Sequence, residues 1–377
     1  MITACLPDPL MVGVSLPGGV CGGHDPGLRY STPDAFERIK KSRKALHALL
    51  QQLPDQPHFR EGFVWETCQR VEFYGWVRSP DSPARRAAAA ARITHELFGE
   101  PRTGLEVNQL TGCQLWHHLM RTACGLNSRL PGDLDVTAQL ETAVHFAQSA
   151  GAAGARALAL LERTLRVASD VSSGTAWGAF RTGYCRAALC QLRNPGAAGW
   201  DACQHVVIGG STTSRSILTA LEDVYHVPQQ RLTLIYRGHH GQWKLLRAAL
   251  GAGQRLRVQA YTDPDILAAI ADADVVYFGL DVAGPVLEPA AINGLRNFAR
   301  RPLTLVDFNS RGSIGCSALA RGITLWAAPQ LDAAINCYAE SLRQQPDFCR
   351  AACAADRWIR SRGLAQASHP VPQLVTA

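Results

Sequence analysis

Residues 205–225 read HVVIGGSTTSRSILTALEDVY, an apolar run, two glycines, four hydroxylated residues, and then apolar positions at helical spacing (Ile217, Leu218, Leu221, Val224). That order is a buried strand, a tight turn and an amphipathic helix. The strand shows no polar alternation, as expected where both faces are covered. The same unit recurs downstream. RLTLIYR, LRVQAYT, DVVYFGL, LTLVDFN and ITLWAA read as strands, with QWKLLRAAL and DILAAIADA as helices between them. Strands alternating with helices predict a doubly wound parallel sheet over residues 199–330.

In such a sheet the first strand-to-helix turn is where a dinucleotide pyrophosphate sits, because free amides and positive potential gather at the helix N-terminus. The candidate cofactor residues are Gly209, Gly210, Ser211, Thr212 and Ser214. Ser211 and Ser214 stand where GxGxxG would have its second and third glycines, and their hydroxyls can donate to phosphate oxygens. A turn of this kind with no ligand is equally common. The second strand closes on Tyr236–Arg237 with no acid. An arginine there suits a 2′-phosphate, so a Rossmann-type domain of this sequence would take NADPH. The plain alternative for Arg237 is a solvated loop charge.

Upstream, residues 136–192 carry apolar positions three and four apart and predict a helical connector over 136–198, with AGAAGA (150–155) as a turn. Residues 1–135 mix strands and helices into an α+β domain. Within it FVWETCQRVEFYGWV (63–77) alternates like two strands around a turn, with Phe63, Trp65, Val71, Phe73 and Gly75 on matching parity. Cys68 falls at the break, and Arg70 two residues on can stabilise its thiolate. HHLMRTACGLNS (117–128) is a helix ending in a polar turn, and its histidines are candidates for orienting a substrate or moving a proton. Residues 331–362 read as short helices broken at Pro346, followed by a tail. The overall class is α/β, with an N-terminal α+β catalytic domain (1–135), the connector, the Rossmann-type domain and the C-terminal helices (331–377).

The 377 residues are 47% hydrophobic with a net charge of +7, which excludes wholesale disorder and leaves a phosphate-bearing partner open without requiring one. Twelve cysteines are scattered without a CxxC pair, so no metal site is expected. The N-terminus lacks the pattern of a signal peptide and no apolar run is long enough to span a bilayer, so the expectation is a cytoplasmic protein with no membrane partner.

Two segments carry a resemblance. ETCQRVEFYGW resembles the STCNRxExY segment of glutamyl-tRNA reductases, and HLMRTACGLNSRLPGDLDVTAQ resembles their HLFRVASGLDSxxxGExxIxGQ. The helices that follow and the nucleotide-binding unit continue in register over residues 60–345. The resemblance implies an NADPH-dependent reductase in which Cys68 attacks the ester of glutamyl-tRNA, and hydride then releases glutamate-1-semialdehyde, a tetrapyrrole precursor. It makes His118 an active-site residue, Thr67, Arg70, Ser128 and Gln139 substrate-binding, and Arg237 the NADP-selecting position. Differences are Gln69 for Asn, Asn127 for Asp, ASDVSSGT (168–175) for the basic AKRVRTET, and DFNSRG (307–312) for the DLAVPRD-like loop. The family's helical dimerisation domain corresponds at most to 331–362, so a monomer or an atypical homodimer is expected. Two other readings stay open: a paralogue acting on another aminoacyl or acyl carrier, and a non-catalytic regulatory homologue.

Overall fold

In the computed structural model the described residues are 9–15, 31, 39, 41–67, 69–78, 82–100, 103–192, 199–236, 254–257, 264–280, 282, 284–295, 297–298, 300–309, 312–315 and 317–363. They form two compact units, Met1–Thr182 with Ala339–Ala377, and Gly183–Tyr338.

The first unit is built on an antiparallel sheet of β1 (Leu10–Ser15), β2 (Phe59–Glu66), β3 (Arg70–Val77) and β4 (Val107–Leu110), in the order β2-β3-β1-β4. The hairpin expected at 63–77 is present as β2 and β3. Its face assignment differs from the sequence reading: Phe63 pairs with Tyr74 and Trp65 with Glu72, so odd positions of β2 share a face with even positions of β3. Cross-strand partners point the same way, and the turn sets which numbers become partners. Every residue of β3 is buried, so parity did not mark one face as the interior. Gly13 of β1 pairs with Glu72, and a Cβ there would meet Glu72 Cγ at 2.6 Å, so glycine makes the room that this buried glutamate occupies.

Among the described residues, five helices belong to this unit's first segment: α1 (Arg43–Gln52), α2 (Pro83–Phe98), α3 (Gly112–Ala123), α4 (Asp135–Ser149) and α5 (Ala155–Gly174). Ser42 and Ser82 cap α1 and α2 through their hydroxyls. α5 is started by a residue from the sheet: Glu61 accepts from the amides of Gly154, Arg156 and Ala157 at 3.0, 3.1 and 3.2 Å, and from Arg156 Nη1 at 3.0 Å. A carboxylate at a helix N-terminus satisfies orphan donors and opposes the dipole. Glu61→Ala is therefore expected to lower stability by roughly 1–3 kcal/mol, read as a lower urea midpoint at unchanged m-value; an unchanged midpoint would show that water replaces the cap.

The second unit holds α6 (Tyr184–Gln191), β5 (His205–Ile208), α7 (Thr212–Tyr225), β6 (Leu232–Tyr236), β7 (Gln254–Arg257), α8 (Pro264–Asp272), β8 (Val275–Phe278), α9 (Pro289–Asn293), β9 (Leu303–Asp307) and β10 (Ile323–Trp326). All strand pairs are parallel, in the order β10-β9-β8-β5-β6-β7. That is the doubly wound order, with the chain reversing direction beside β5. Ile208, Ile235, Val276, Phe278 and Leu305 from the strands pack against Ile266, Ile270, Ile292 and Phe298. The helix expected at 242–250 lies outside the described residues.

α10 (Ala328–Arg343) and α11 (Pro346–Trp358) follow, broken at Pro346 as expected. α11 belongs to the first unit, where Phe348 packs on Trp177 and Phe180 at 5.3 and 5.4 Å between ring centroids. α4 and α5 also lie in the first unit, whereas α6 opens the second. Among the described residues no helix is long and apolar enough to cross a membrane, and no cluster of side chains could hold a metal ion.

Candidate active site

The turn between β2 and β3 is tied by Thr67. Its hydroxyl accepts from the amides of Gln69 and Arg70 at 3.1 and 3.2 Å, and its own amide donates to the Arg70 carbonyl at 2.9 Å. A threonine that bonds forward to its own backbone fixes such a turn without help from elsewhere. Cys68, the expected nucleophile, lies outside the described residues; its sequence neighbours are held in this way.

Both residues after the thiol reach the same loop. Gln69 Oε1 accepts from the Arg129 amide at 2.7 Å, and Arg70 Nη2 donates to the Asn127 carbonyl at 3.1 Å. Arg70 is 4% exposed, lies 5.8 Å from the Trp65 ring, and its Nη1 finds no partner among the described residues. Ser128, 2% exposed, likewise leaves its Oγ without one. The loop comes round through Gly125, whose φ is +75° and where a Cβ would meet the Asp133 amide at 2.6 Å, so only glycine serves. Thr67, Arg70 and Ser128 are thus brought to one place. Gln139 stands half-buried on α4, and none of the described hydrogen bonds joins it to Arg70 or Ser128.

Below the turn lies a network that the sequence reading did not single out. Glu72, fully buried, accepts from Ser15 Oγ at 3.2 Å, Tyr74 Oη at 2.8 Å and His118 Nε2 at 3.0 Å. Burial pushes its carboxyl up, but His118, Arg70 and the Tyr74 hydroxyl outweigh burial and hold it down at about 2. An ionised carboxylate only accepts, so His118 carries its proton on Nε2. Burial, and then Glu72, push the Tyr74 hydroxyl well above its ordinary range. The signal was present as the Glu and Tyr of the ExY in the resembled segment, an acid in the middle of a strand whose neighbours on either side, Val71 and Phe73, are apolar.

Asp133, half-buried after Gly132, is the second residue missed. Burial and then Asp135 raise its carboxyl to about 7, against the opposing pull of Arg70 and Arg181. A carboxyl raised in the folded state favours folding while it keeps its proton. That contribution fades as pH climbs from the unfolded value near 4 through about 7. Relative to the wild type, Asp133→Asn is expected to gain stability steadily across that window and then level off, measured by urea unfolding at stepped pH. A constant difference would mean that the carboxyl titrates as in water.

In the second unit, Gly209 follows β5 with φ +130° and its amide donates to the Ile235 carbonyl at 2.8 Å. A Cβ there would meet the Gly279 carbonyl at 2.5 Å. Ser211 caps α7, accepting from the Ser214 amide at 3.4 Å, and its hydroxyl donates to the Gly279 carbonyl at 2.6 Å. Ser214 Oγ donates to that same carbonyl at 3.0 Å. The two hydroxyls expected to face a phosphate are therefore committed to the neighbouring strand end. Gly210 and the amides of Thr212 and Thr213 at the start of α7 keep the backbone character of an anion site. A dinucleotide thus fits the backbone here, without the two serine protons. Arg237 lies outside the described residues.

Residues 29–175 match the family model of the glutamyl-tRNA(Glu) reductase N-terminal domain. Glutamyl-tRNA reductase 2 of Nocardioides sp. is 30% identical over 250 residues, covering 65% of this chain and 51% of that protein. The glutamyl-tRNA reductase of Synechococcus elongatus is 27% identical over 277 residues, 71% of this chain and 61% of that one. The chain thus spans about half to three-fifths of the length of these curated relatives. The solved structure of the glutamyl-tRNA reductase from Methanopyrus kandleri is 15% identical, covering 94% of this chain and 79% of that chain at a TM-score of 0.43. Residues 29–175 thus carry the match to the glutamyl-tRNA reductase N-terminal domain, and the chain's similarity to glutamyl-tRNA reductases extends beyond that segment.

Proposed function

We propose that the chain reduces glutamyl-tRNA to glutamate-1-semialdehyde with NADPH, through a thioester on Cys68. The observation that carries this reading is the pair of buried polar atoms without a partner among the described residues, Arg70 Nη1 and Ser128 Oγ, on either side of one hydrogen bond. Leaving such atoms unmatched is costly, so they point to a ligand that matches them. The side-chain carboxylate of a glutamyl group does so, and a guanidinium suits it. Arg181 Nε and Thr182 Oγ1, also buried without partners among the described residues, stand next to Asp133 through the Asp133–Thr182 bridge. Gln139 is assigned to the same substrate site by the family motif.

The Cys68 thiolate attacks the ester carbonyl, the C–S bond forms, and the C–O bond to the tRNA ribose breaks. His118, oriented by Glu72, is assigned the proton that the ribose oxygen takes up. A thioester accepts hydride more readily than an oxygen ester, and the thiolate leaves when the aldehyde forms. Gly209, Gly210 and Thr212 would hold the dinucleotide and Arg237 its 2′-phosphate; when bound, NADPH supplies the hydride. Single-turnover quench with glutamate-labelled glutamyl-tRNA tests the reading. Without NADPH the label should move to protein in a hydroxylamine-sensitive bond, and NADPH should chase it to the aldehyde. Label that stays on tRNA would overturn it. A second reading, the same chemistry on another acyl carrier, is favoured by Ser169, Asp170 and Ser172 on α5, where the resembled segment is basic; transfer from a different charged tRNA or acyl thioester in the same assay would select it.

A further inference from the structure

α3 is gripped by carboxylates from two sides. Glu72 of the sheet takes His118, while Asp356 of α11 takes His117 and Arg121, one helical turn apart. Asp356 Oδ1 lies 3.1 Å from His117 Nε2, bonds Arg121 Nη1, and Oδ2 accepts from Arg360 Nε at 2.9 Å. Arg121 is buried, and a buried guanidinium needs an anion. The partner of its Nε is a neutral amide, Asn127 Oδ1 at 2.9 Å. Asn127 is also the residue whose carbonyl holds Arg70 and whose Nδ2 donates to Thr122 Oγ1 at 3.1 Å. In the resembled GLDS motif this position is Asp, whereas the arginine of HLFR is retained as Arg121. α10 touches the same loop independently, because Arg343 Nη2 donates to the Arg129 carbonyl at 3.2 Å.

We propose that Asp356 is a positioning residue for the glutamyl site: it supplies from α11 the negative charge that Asn127 no longer supplies beside Arg121. It thereby fixes the Asn127 carbonyl on which Arg70 rests. The buried charge balance is kept by moving the carboxylate from the loop to a helix distant in sequence. The inference rests on the functional reading above, but its energetic half does not need a substrate.

The test compares four proteins: wild type, Asp356→Asn, Asn127→Asp and the double variant. Asp356→Asn is expected to lower the thermal midpoint by several degrees and to raise KM for glutamyl-tRNA about tenfold, the worth of one charge-assisted hydrogen bond, with kcat moved less than about threefold. Asn127→Asp placed in the Asp356→Asn protein returns a carboxylate to Arg121 and should recover most of both losses. A double variant no better than Asp356→Asn, or simple additivity of the two changes, would overturn the proposal, as would a wild-type KM in Asp356→Asn. If Asp356→Asn does not fold, the double variant still must. If the wild type fails to take label from glutamyl-tRNA, the functional reading falls, and the four midpoints alone decide whether the carboxylate has moved.

Discussion

On the proposed thioester route, Cys68→Ser is expected to lower NADPH-dependent turnover of glutamyl-tRNA by at least about a thousandfold while leaving its binding within a few-fold, because the change would remove the proposed nucleophile and not the pocket. A cysteine thiol ionises near pH 8.5 unperturbed, so a usable fraction is thiolate at neutral pH. A serine hydroxyl does not ionise in that range, and nothing among the described side chains at the turn is arranged as its base. Even an acyl serine, if formed, would be an oxygen ester again, no easier to reduce than the substrate. Arg70→Met separates the two proposed functions from the other side: the thiol stays, the proposed carboxylate anchor goes, and the loss should fall mainly on KM. Turnover by Cys68→Ser within tenfold of the wild type would sink the thioester route whatever the binding data show.

The elements themselves were legible because each has a local cause. The helix N-terminus after Gly209 and Gly210, the β2–β3 hairpin and the break at Pro346 follow from turn residues and periodicity, and the parallel sheet follows from the repeated strand–helix unit. The site was legible only through motif spacing, and there only in part. Ser211 and Ser214 looked like phosphate donors, yet both protons go to the Gly279 carbonyl, a partner 65 or more residues away in the chain. Glu72 went unselected because a lone acid in a strand gives no hint of its partners, which come from β1, from its own strand and from α3. Asp356 could not have been found at all: no spacing rule connects residue 356 to residue 121, and only the packing of α11 within the first unit puts the carboxylate there. Local chemistry writes turns and caps into the sequence, whereas buried charge balance is settled between segments that meet only in the fold.

Glu72→Gln should be the most damaging single change to the first unit. Three donors, Ser15 Oγ, Tyr74 Oη and His118 Nε2, converge on one carboxylate in fully buried space. A glutamine offers one acceptor oxygen and turns an N–H toward donors that need an acceptor, so at least one buried donor is left unmatched and the charge facing His118 and Arg70 disappears. Breaking one partner out of a buried, hydrogen-bonded charge pair costs about 3–5 kcal/mol. The same group sets an acid limb. Its carboxyl is held at about 2 in the folded protein, below its ordinary value of 4.5, so its contribution is whole above that ordinary value and is lost as pH falls from there through about 2. The shift corresponds to roughly 3 kcal/mol. Urea unfolding of the wild type should therefore weaken steeply between those limits, and Glu72→Gln should start lower and run flatter across them. Freed from its acceptor, His118 loses the tautomer and orientation assigned to it, so turnover should fall even where the variant remains folded at neutral pH. A variant that unfolds along the wild-type acid profile would show that this carboxylate is not the charged hub of the site.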